Sequence, residues 1–159
     1  MPKETTVTIP RFGTLTLRHA VLDYNGTLAK DGELLPAAKA LLVALTERFS
    51  VHVITSDTFG TVAKALEGFG VTVKVLQSDD HTAEKARYIE TLAAEHCAAV
   101  GNGSNDAAML EAAALGIALI GDEGCATRTL LAGDIVCKSI EDALGLLLRE
   151  KRLIATLRQ

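Results

Sequence analysis

No apolar run in the chain approaches the ~18 residues that a membrane-spanning helix needs, so the sequence predicts no transmembrane segment. The first residues, Met-Pro-Lys-Glu-Thr-Thr, carry no apolar stretch of the kind a secretory signal requires. Cysteine is sparse, and Cys97, Cys125 and Cys137 show no Cys-x-x-Cys spacing. A disulfide frame and a thiolate zinc site are therefore both disfavoured, and reduced thiols in a cytoplasmic protein are expected. There is no excess of positive charge either. The net charge of -4 argues against a nucleic-acid partner held through its phosphates. Repeats, linkers and low-complexity stretches are also missing. What is present is 159 residues, 48% hydrophobic and 23% charged, which is the composition of one globular domain spanning 1–159.

Along the chain, short apolar runs alternate with segments of helical spacing. Val7 to Leu17 alternates apolar and polar residues around Arg11 to Gly13, a hairpin pattern, and Pro10 predicts an edge ornament because it cannot donate to a ladder. Ala20 to Asp23 reads as a buried parallel strand. Leu41, Leu42, Leu45 and Phe49 stripe a helix from Pro36 to Phe49, and Val51 to Thr55 is a second strand. Phe59, Val62, Ala63, Leu66 and Phe69 predict a helix closed by Gly70, before a strand over 71–76. A helix from about His81 to Glu95 precedes the strand 97–100. Met109, Leu110, Ala113 and Ala114 mark a helix ending at Gly116. Strands over 117–120 and 134–137 flank a short helix, Thr127 to Ala132. Ile140 to Leu148 forms a last helix, extended by Leu153, Ile154 and Leu157. This alternation predicts a three-layer α/β sandwich, Rossmann-like, with a mostly parallel sheet of five to six strands and an N-terminal β-hairpin.

Open α/β sheets place their sites at the carboxyl ends of the strands. Four polar clusters fall there: Asp23 to Thr27, Thr55 to Asp57, Lys85, and Gly101 to Asp106. A carboxylate, a hydroxyl, an ammonium and a second carboxylate around one crevice suit phosphoryl transfer. In that arrangement Asp23 attacks phosphorus. Thr55 hydrogen-bonds the phosphoryl oxygens and Lys85 offsets their charge, while Asp23 and Asp106 hold Mg²⁺. Gly26 and Ser56 join Thr55 and Lys85 as candidate phosphate-binding positions, since a tight turn lets a ligand approach the backbone. His81 is the histidine nearest Lys85; a solvated helix start is the expected state, with no role assigned.

These stretches resemble the haloacid dehalogenase superfamily. Residues 23 to 28 (Asp-x-x-Gly-Thr-Leu), 53 to 58 (VITSDT), 84 to 89 (EKARYI) and 100 to 110 (VGNGSNDAAML) are similar to its four motifs. The last stretch, running on to residues 114–118, and Gly133 to Val136 are most similar to the phosphorylation domain of P-type ATPases. The resemblance covers roughly Ala20 to Val136. It implies a Mg²⁺-dependent site with Asp23 as nucleophile, Thr55 and Lys85 as phosphate ligands and Asp106 near the metal.

Two positions depart from the pattern. The family's phosphatases carry Asp two residues after the nucleophile as general acid and base, whereas this chain carries Asn25. An amide exchanges no proton at neutral pH, and losing that help is worth roughly 10²–10⁴ in rate. The family's metal contact from this position is a backbone carbonyl, which Asn25 still supplies. Asn102 stands where the pumps have the first Asp of the fourth motif. Its amide oxygen can ligate Mg²⁺ without adding charge, so weaker metal binding is expected. The intervals Leu28 to Ser50 and Ser56 to Glu84 are too short for a cap domain. An open crevice is therefore predicted, suited to a phosphorylated small molecule or a phosphoprotein unless a neighbouring subunit of a homo-oligomer covers it.

Other readings fit less well. A dinucleotide site at Gly101 to Gly103 puts Asp106 against the pyrophosphate. A receiver domain needs an acidic pair upstream, where only Glu4 precedes Asp23. The remaining alternative is a non-catalytic relative that binds phosphate, a nucleotide or a protein, to which the amides at 25 and 102 point.

Overall fold

The computed structural model describes residues 3–159. In chain order the elements are β1 (Thr5–Ile9), β2 (Gly13–Leu17), β3 (His19–Asp23), β4 (Ala29–Lys30), β5 (Glu33–Leu34), α1 (Pro36–Arg48), β6 (Ser50–Thr55), α2 (Thr61–Ala65), β7 (Thr72–Val75), α3 (His81–Thr91), β8 (Cys97–Gly101), α4 (Ala107–Ala112), β9 (Leu115–Leu119), α5 (Thr127–Ala132), β10 (Ile135–Cys137), α6 (Ile140–Leu148) and α7 (Glu150–Leu157). Six of the strands form one parallel sheet in the order β10-β9-β8-β3-β6-β7. Its central strands are apolar on both faces, as a sheet covered by helices on both sides requires. No helix among the described residues is long and apolar enough to cross a membrane.

Side-chain alternation sorts the core into two layers. Ala20, Leu22, Val51, Val53, Ala98, Val100, Ile117 and Leu119 face one layer, with residues of α1, α6, α7 and the β1–β2 hairpin. Val21, Ile54, Cys97, Ala99 and Ala118 face the other, against Ile89 of α3 and Met109 and Leu110 of α4. Asp23 shares parity with Val21, so the last residue of β3 presents its side chain on the face covered by α3 and α4. That parity places the site.

Several boundaries differ from the sequence expectation. The hairpin is no edge ornament: it forms a separate two-stranded sheet whose Val7, Ile9, Leu15 and Leu17 are core residues. The stretch from Phe59 to Phe69 holds a helix only over Thr61–Ala65. Gly60 and Gly68 adopt φ of 80° and 84°, which an α-helix does not accept, and Phe59 is left 93% exposed. The helix expected to reach Glu95 stops at Thr91, and Ala93 at φ 71° turns the chain into a 3₁₀ turn, Ala94–His96. Gly116 lies inside β9 rather than ending a helix. A Cβ there would stand 2.5 Å from the Leu110 carbonyl oxygen, so glycine lets α4 sit close on the sheet. At Arg149 the C-terminal helix breaks into α6 and α7.

On the α3 face, His52 of β6 is enclosed between His19, at 3.1 Å, and the Tyr88 hydroxyl, at 2.7 Å. Burial, then the neighbouring His19, pushes the His52 imidazole down to about 4. The folded chain therefore resists a proton that the unfolded chain accepts near 6.5. Stability is present above that value and is lost as pH falls toward 4, by up to about 3 kcal/mol. Melting temperatures of wild type and His52→Gln at pH 7 and pH 5 check this. The wild type is expected to lose more on acidification than the variant.

Candidate active site

Asp23 ends β3 and is 8% exposed. One carboxylate oxygen, Oδ1, accepts from the Lys85 ammonium at 3.0 Å, and the other lies 3.4 Å from the Thr27 hydroxyl. Lys85, from the second turn of α3, is 3% exposed and uses all three of its protons. They go to Asp23, to Asn105 Oδ1 at 2.9 Å and to Asp106 Oδ1 at 2.8 Å. Two buried carboxylates thus share one buried cation. Burial and the Asp106 charge push Asp23 up to about 7, against the opposing pull of Lys85. Burial lowers Lys85, but the charges of Asp23 and Asp106 outweigh it and hold the ammonium above its usual range.

Asp106 is completely buried, and its second oxygen accepts the N–H groups of Asn102 and Gly103, each at 3.0 Å. Both oxygens therefore accept hydrogen bonds, Oδ2 two of them. Gly101 makes this possible, because a Cβ there would stand 2.5 Å from the Asp106 carboxyl carbon. Asn102 is held on both sides of its amide: Oδ1 accepts from Thr27 at 3.3 Å, and Nδ2 donates to the Gly124 carbonyl at 3.1 Å. Gly26 is required twice over. It adopts φ 79°, and a Cβ on it would come within 2.3 Å of Asn102 Nδ2.

Thr55, at the end of β6, accepts the Asp57 N–H at 3.1 Å, which leaves its own O–H to donate. Asp57 then pins the loop by accepting from the N–H groups of Phe59 and Val62, and these bonds hold its carboxyl below the usual range.

Asp23, Asn25, Thr55, Ser56, His81, Lys85, Asn102 and Asn105 line one cavity of about 180 Å³ at the carboxyl edge of the sheet. Of the residues singled out in the sequence, Gly26 belongs instead to the wall of an adjoining cavity of about 270 Å³, and Asp106 lies behind Lys85 and outside the lining. Asn105, Thr27 and His81 carry no role that the sequence alone assigns. For His81 the available signal is its i, i+4 spacing to Lys85 on one helix.

The oxygen donors suit a hard divalent cation. The Asp23 carboxylate, the amide oxygen of Asn102 and the Asn25 carbonyl, which accepts no backbone hydrogen bond from the described residues, come from residues lining one cavity. No cluster of three or more His, Cys, Asp or Glu residues able to cage a metal occurs among the described residues.

A parallel sheet with a buried carboxylate, a buried lysine and hydroxyl groups at its carboxyl edge defines an α/β architecture with a polar cavity at the strand ends. Comparison with solved structures gives that architecture a family fold, the haloacid dehalogenase fold. The chain is similar to 3-deoxy-D-manno-octulosonate 8-phosphate phosphatase from Moraxella catarrhalis, a structure in complex with magnesium, phosphate and KDO. The TM-score is 0.71 at 19% identity, covering 89% of this chain and 94% of that one. The cobalt-bound form of the corresponding Haemophilus influenzae phosphatase gives 0.70 at 14% identity, covering 90% and 94%. A putative subfamily III A hydrolase of the superfamily from Legionella pneumophila gives 0.70 at 16%, covering 89% and 87%. An uncharacterized protein of Methanocaldococcus jannaschii is 58% identical over 60 residues, which is 38% of this chain; the chain spans 64% of that relative's length. No family model matches the chain.

Proposed function

We propose that this chain is a Mg²⁺-dependent phosphomonoester hydrolase working through an aspartyl phosphate on Asp23. The observation that carries this reading is the Asp23–Lys85–Asp106 cluster opening into a cavity of phosphate size at the carboxyl edge of the sheet. Asp23 attacks phosphorus with one oxygen while Lys85 fixes the carboxylate by the other. Thr55 donates its free O–H to a phosphoryl oxygen, and the Ser56 segment offers backbone approach, whereas Gly26 shapes the turn that carries Asn25 and leaves room for Asn102. Asp106 does not ligate the metal in this reading, because it lies behind Lys85 and outside the cavity lining; it positions Lys85 instead. Asp23, the Asn25 carbonyl and Asn102 would hold Mg²⁺, which neutralises phosphoryl charge when bound. The Moraxella and Haemophilus phosphatases carry magnesium and cobalt, in keeping with a divalent cation. The cavity is lined by residues of the strand-end loops and of α3, and the substrate in this reading is a phosphorylated small molecule or an exposed phosphoryl group on a protein. A second subunit is a further way to cover the cavity. The cytoplasm, where Mg²⁺ and thiol-reducing conditions coexist, is the proposed setting.

Hydrolysis of para-nitrophenyl phosphate tests the reading. Turnover is expected with Mg²⁺, is lost on chelation and returns on Mg²⁺ addition. A wild-type rate equal to the buffer rate would place the chain among the binding relatives.

A further inference from the structure

Position 25 supplies no proton, yet hydrolysis of a phosphomonoester needs one donated to the leaving group and one removed from water. The other ionisable side chains on the cavity wall are committed. Lys85 spends its three protons on Asp23, Asn105 and Asp106, and Asp23 is the nucleophile. The hydroxyls of Thr55 and Ser56 do not ionise near neutrality. His81 is the exception. It lines the same cavity, is half-buried, and its side chain makes no hydrogen bond to any described residue. It lies one helical turn before Lys85, about 5.4 Å along the axis, and helical side chains lean toward the N-terminus, here toward the mouth of the site.

The loop leading to it is fixed. Glu84 accepts the N–H groups of Gln77 at 2.9 Å and Ser78 at 2.7 Å, Ser78 Oγ accepts the Asp80 N–H at 3.0 Å, and Asp80 caps α3 through the Ala83 N–H at 3.0 Å. A histidine held in place with both ring nitrogens free is equipped to move protons.

We propose that His81 is the general acid and base that position 25 lacks. The assignment rests on the phosphatase reading above. In the first step Asp23 attacks phosphorus, the bond from phosphorus to the leaving oxygen breaks, and the electron pair on that oxygen takes the proton of the His81 imidazolium. In the second step neutral His81 removes a proton from water as the water oxygen attacks the phosphorus of the aspartyl phosphate. The bond to Asp23 breaks, its electrons return to the carboxylate, and phosphate leaves. His81 is again protonated, and the net reaction is ester plus water to alcohol plus phosphate.

Steady-state kinetics of the full chain with Mg²⁺ test this on two substrates, para-nitrophenyl phosphate and glycerol phosphate. Para-nitrophenolate departs with little protonation, whereas an alkoxide does not. His81→Gln is expected to lower kcat/KM, which reports phosphoryl transfer to Asp23, by roughly 10²–10⁴ for glycerol phosphate and much less for para-nitrophenyl phosphate, while kcat falls on both because they share hydrolysis of the aspartyl phosphate. With acetyl phosphate the same variant is expected to accumulate phosphoenzyme, because removal of a proton from water is lost. Added imidazole is expected to restore turnover to His81→Ala. A thermal melt of each variant checks the fold. An unchanged kcat on both substrates, or a raised KM with kcat intact, overturns the acid–base role. A wild type that never becomes phosphorylated on Asp23 overturns the phosphatase reading itself, and the His81 role with it.

Discussion

Changing Asp23 to asparagine is expected to raise the melting temperature of the metal-free protein while abolishing its activity. Asp23 is pushed up to about 7 by burial and by Asp106, with Lys85 offsetting part of the shift. Its folded value therefore lies above the unfolded one, 3.8. Such a group contributes stability that is fully present below about pH 4 and is lost as pH rises through 7. At pH 8 the folded chain carries an ionised, buried carboxylate beside a second one, and Asp23→Asn removes that charge. Against this, Lys85 loses one of its two anionic partners. A net gain of about 2 kcal/mol is expected at pH 8, or about 4–8 °C, shrinking toward pH 5. Phosphatase turnover falls to background, because the nucleophile is gone. Differential scanning calorimetry at the two pH values, alongside the para-nitrophenyl phosphate assay, measures both halves. Saturating Mg²⁺ is expected to narrow the stability gap by stabilising the wild type alone.

Lys85→Met should have the opposite effect on stability. It leaves Asp106, fully buried, and Asp23, nearly so, with no cation between them. Removing one partner from a buried ion cluster typically costs about 3–5 kcal/mol, and here two carboxylates are abandoned at once. A drop of about 10 °C in melting temperature follows at pH 8. Because the penalty comes from like charges forced together, adding Asp23→Asn to Lys85→Met is expected to recover stability by more than Asp23→Asn adds to the wild type. That inequality is a coupling energy, read from a double-mutant cycle of four melts. Additive effects would mean that the two carboxylates do not sense each other through Lys85.

The sheet is legible in the sequence because its strands carry their own signal. Short apolar runs such as Ala20 to Asp23 and Cys97 to Gly101 are bounded by glycine or polar turns, and the intervening helices show clear stripes. Helix lengths are less legible, because backbone exceptions decide them. Gly60 and Ala93 leave helical φ, at 80° and 71°, and no periodicity in Phe59 to Phe69 announces that Phe59 faces solvent. The hairpin misleads for a related reason: Pro10 bars a ladder bond but says nothing about packing beneath the hairpin.

The candidate site divides along the same line. Asp23, Thr55 and Lys85 can be named because each sits at a strand end or on a helix face that the topology sends to one edge. The hydrogen bonding of Asp106 cannot be read from spacing, since two backbone N–H groups are aimed at one of its oxygens. Nor can the state of Asn102, whose amide is tied to Thr27 and to Gly124, residues far from it in sequence. An aspartate at 102 would gain charge for a metal but lose the donor to Gly124, which gives Asn102 a structural reason to be an amide.

The central claim is that Asp23 accepts a phosphoryl group. Its most direct test is acid-quenched incubation of the full chain with Mg²⁺ and acetyl phosphate, followed by intact-mass and peptide mass spectrometry before and after hydroxylamine. The account predicts one added phosphoryl group, mapped to the peptide containing Asp23, removed by hydroxylamine and missing from Asp23→Asn. A wild-type chain whose mass does not change, or a phosphoryl group that survives hydroxylamine or maps elsewhere, would contradict it.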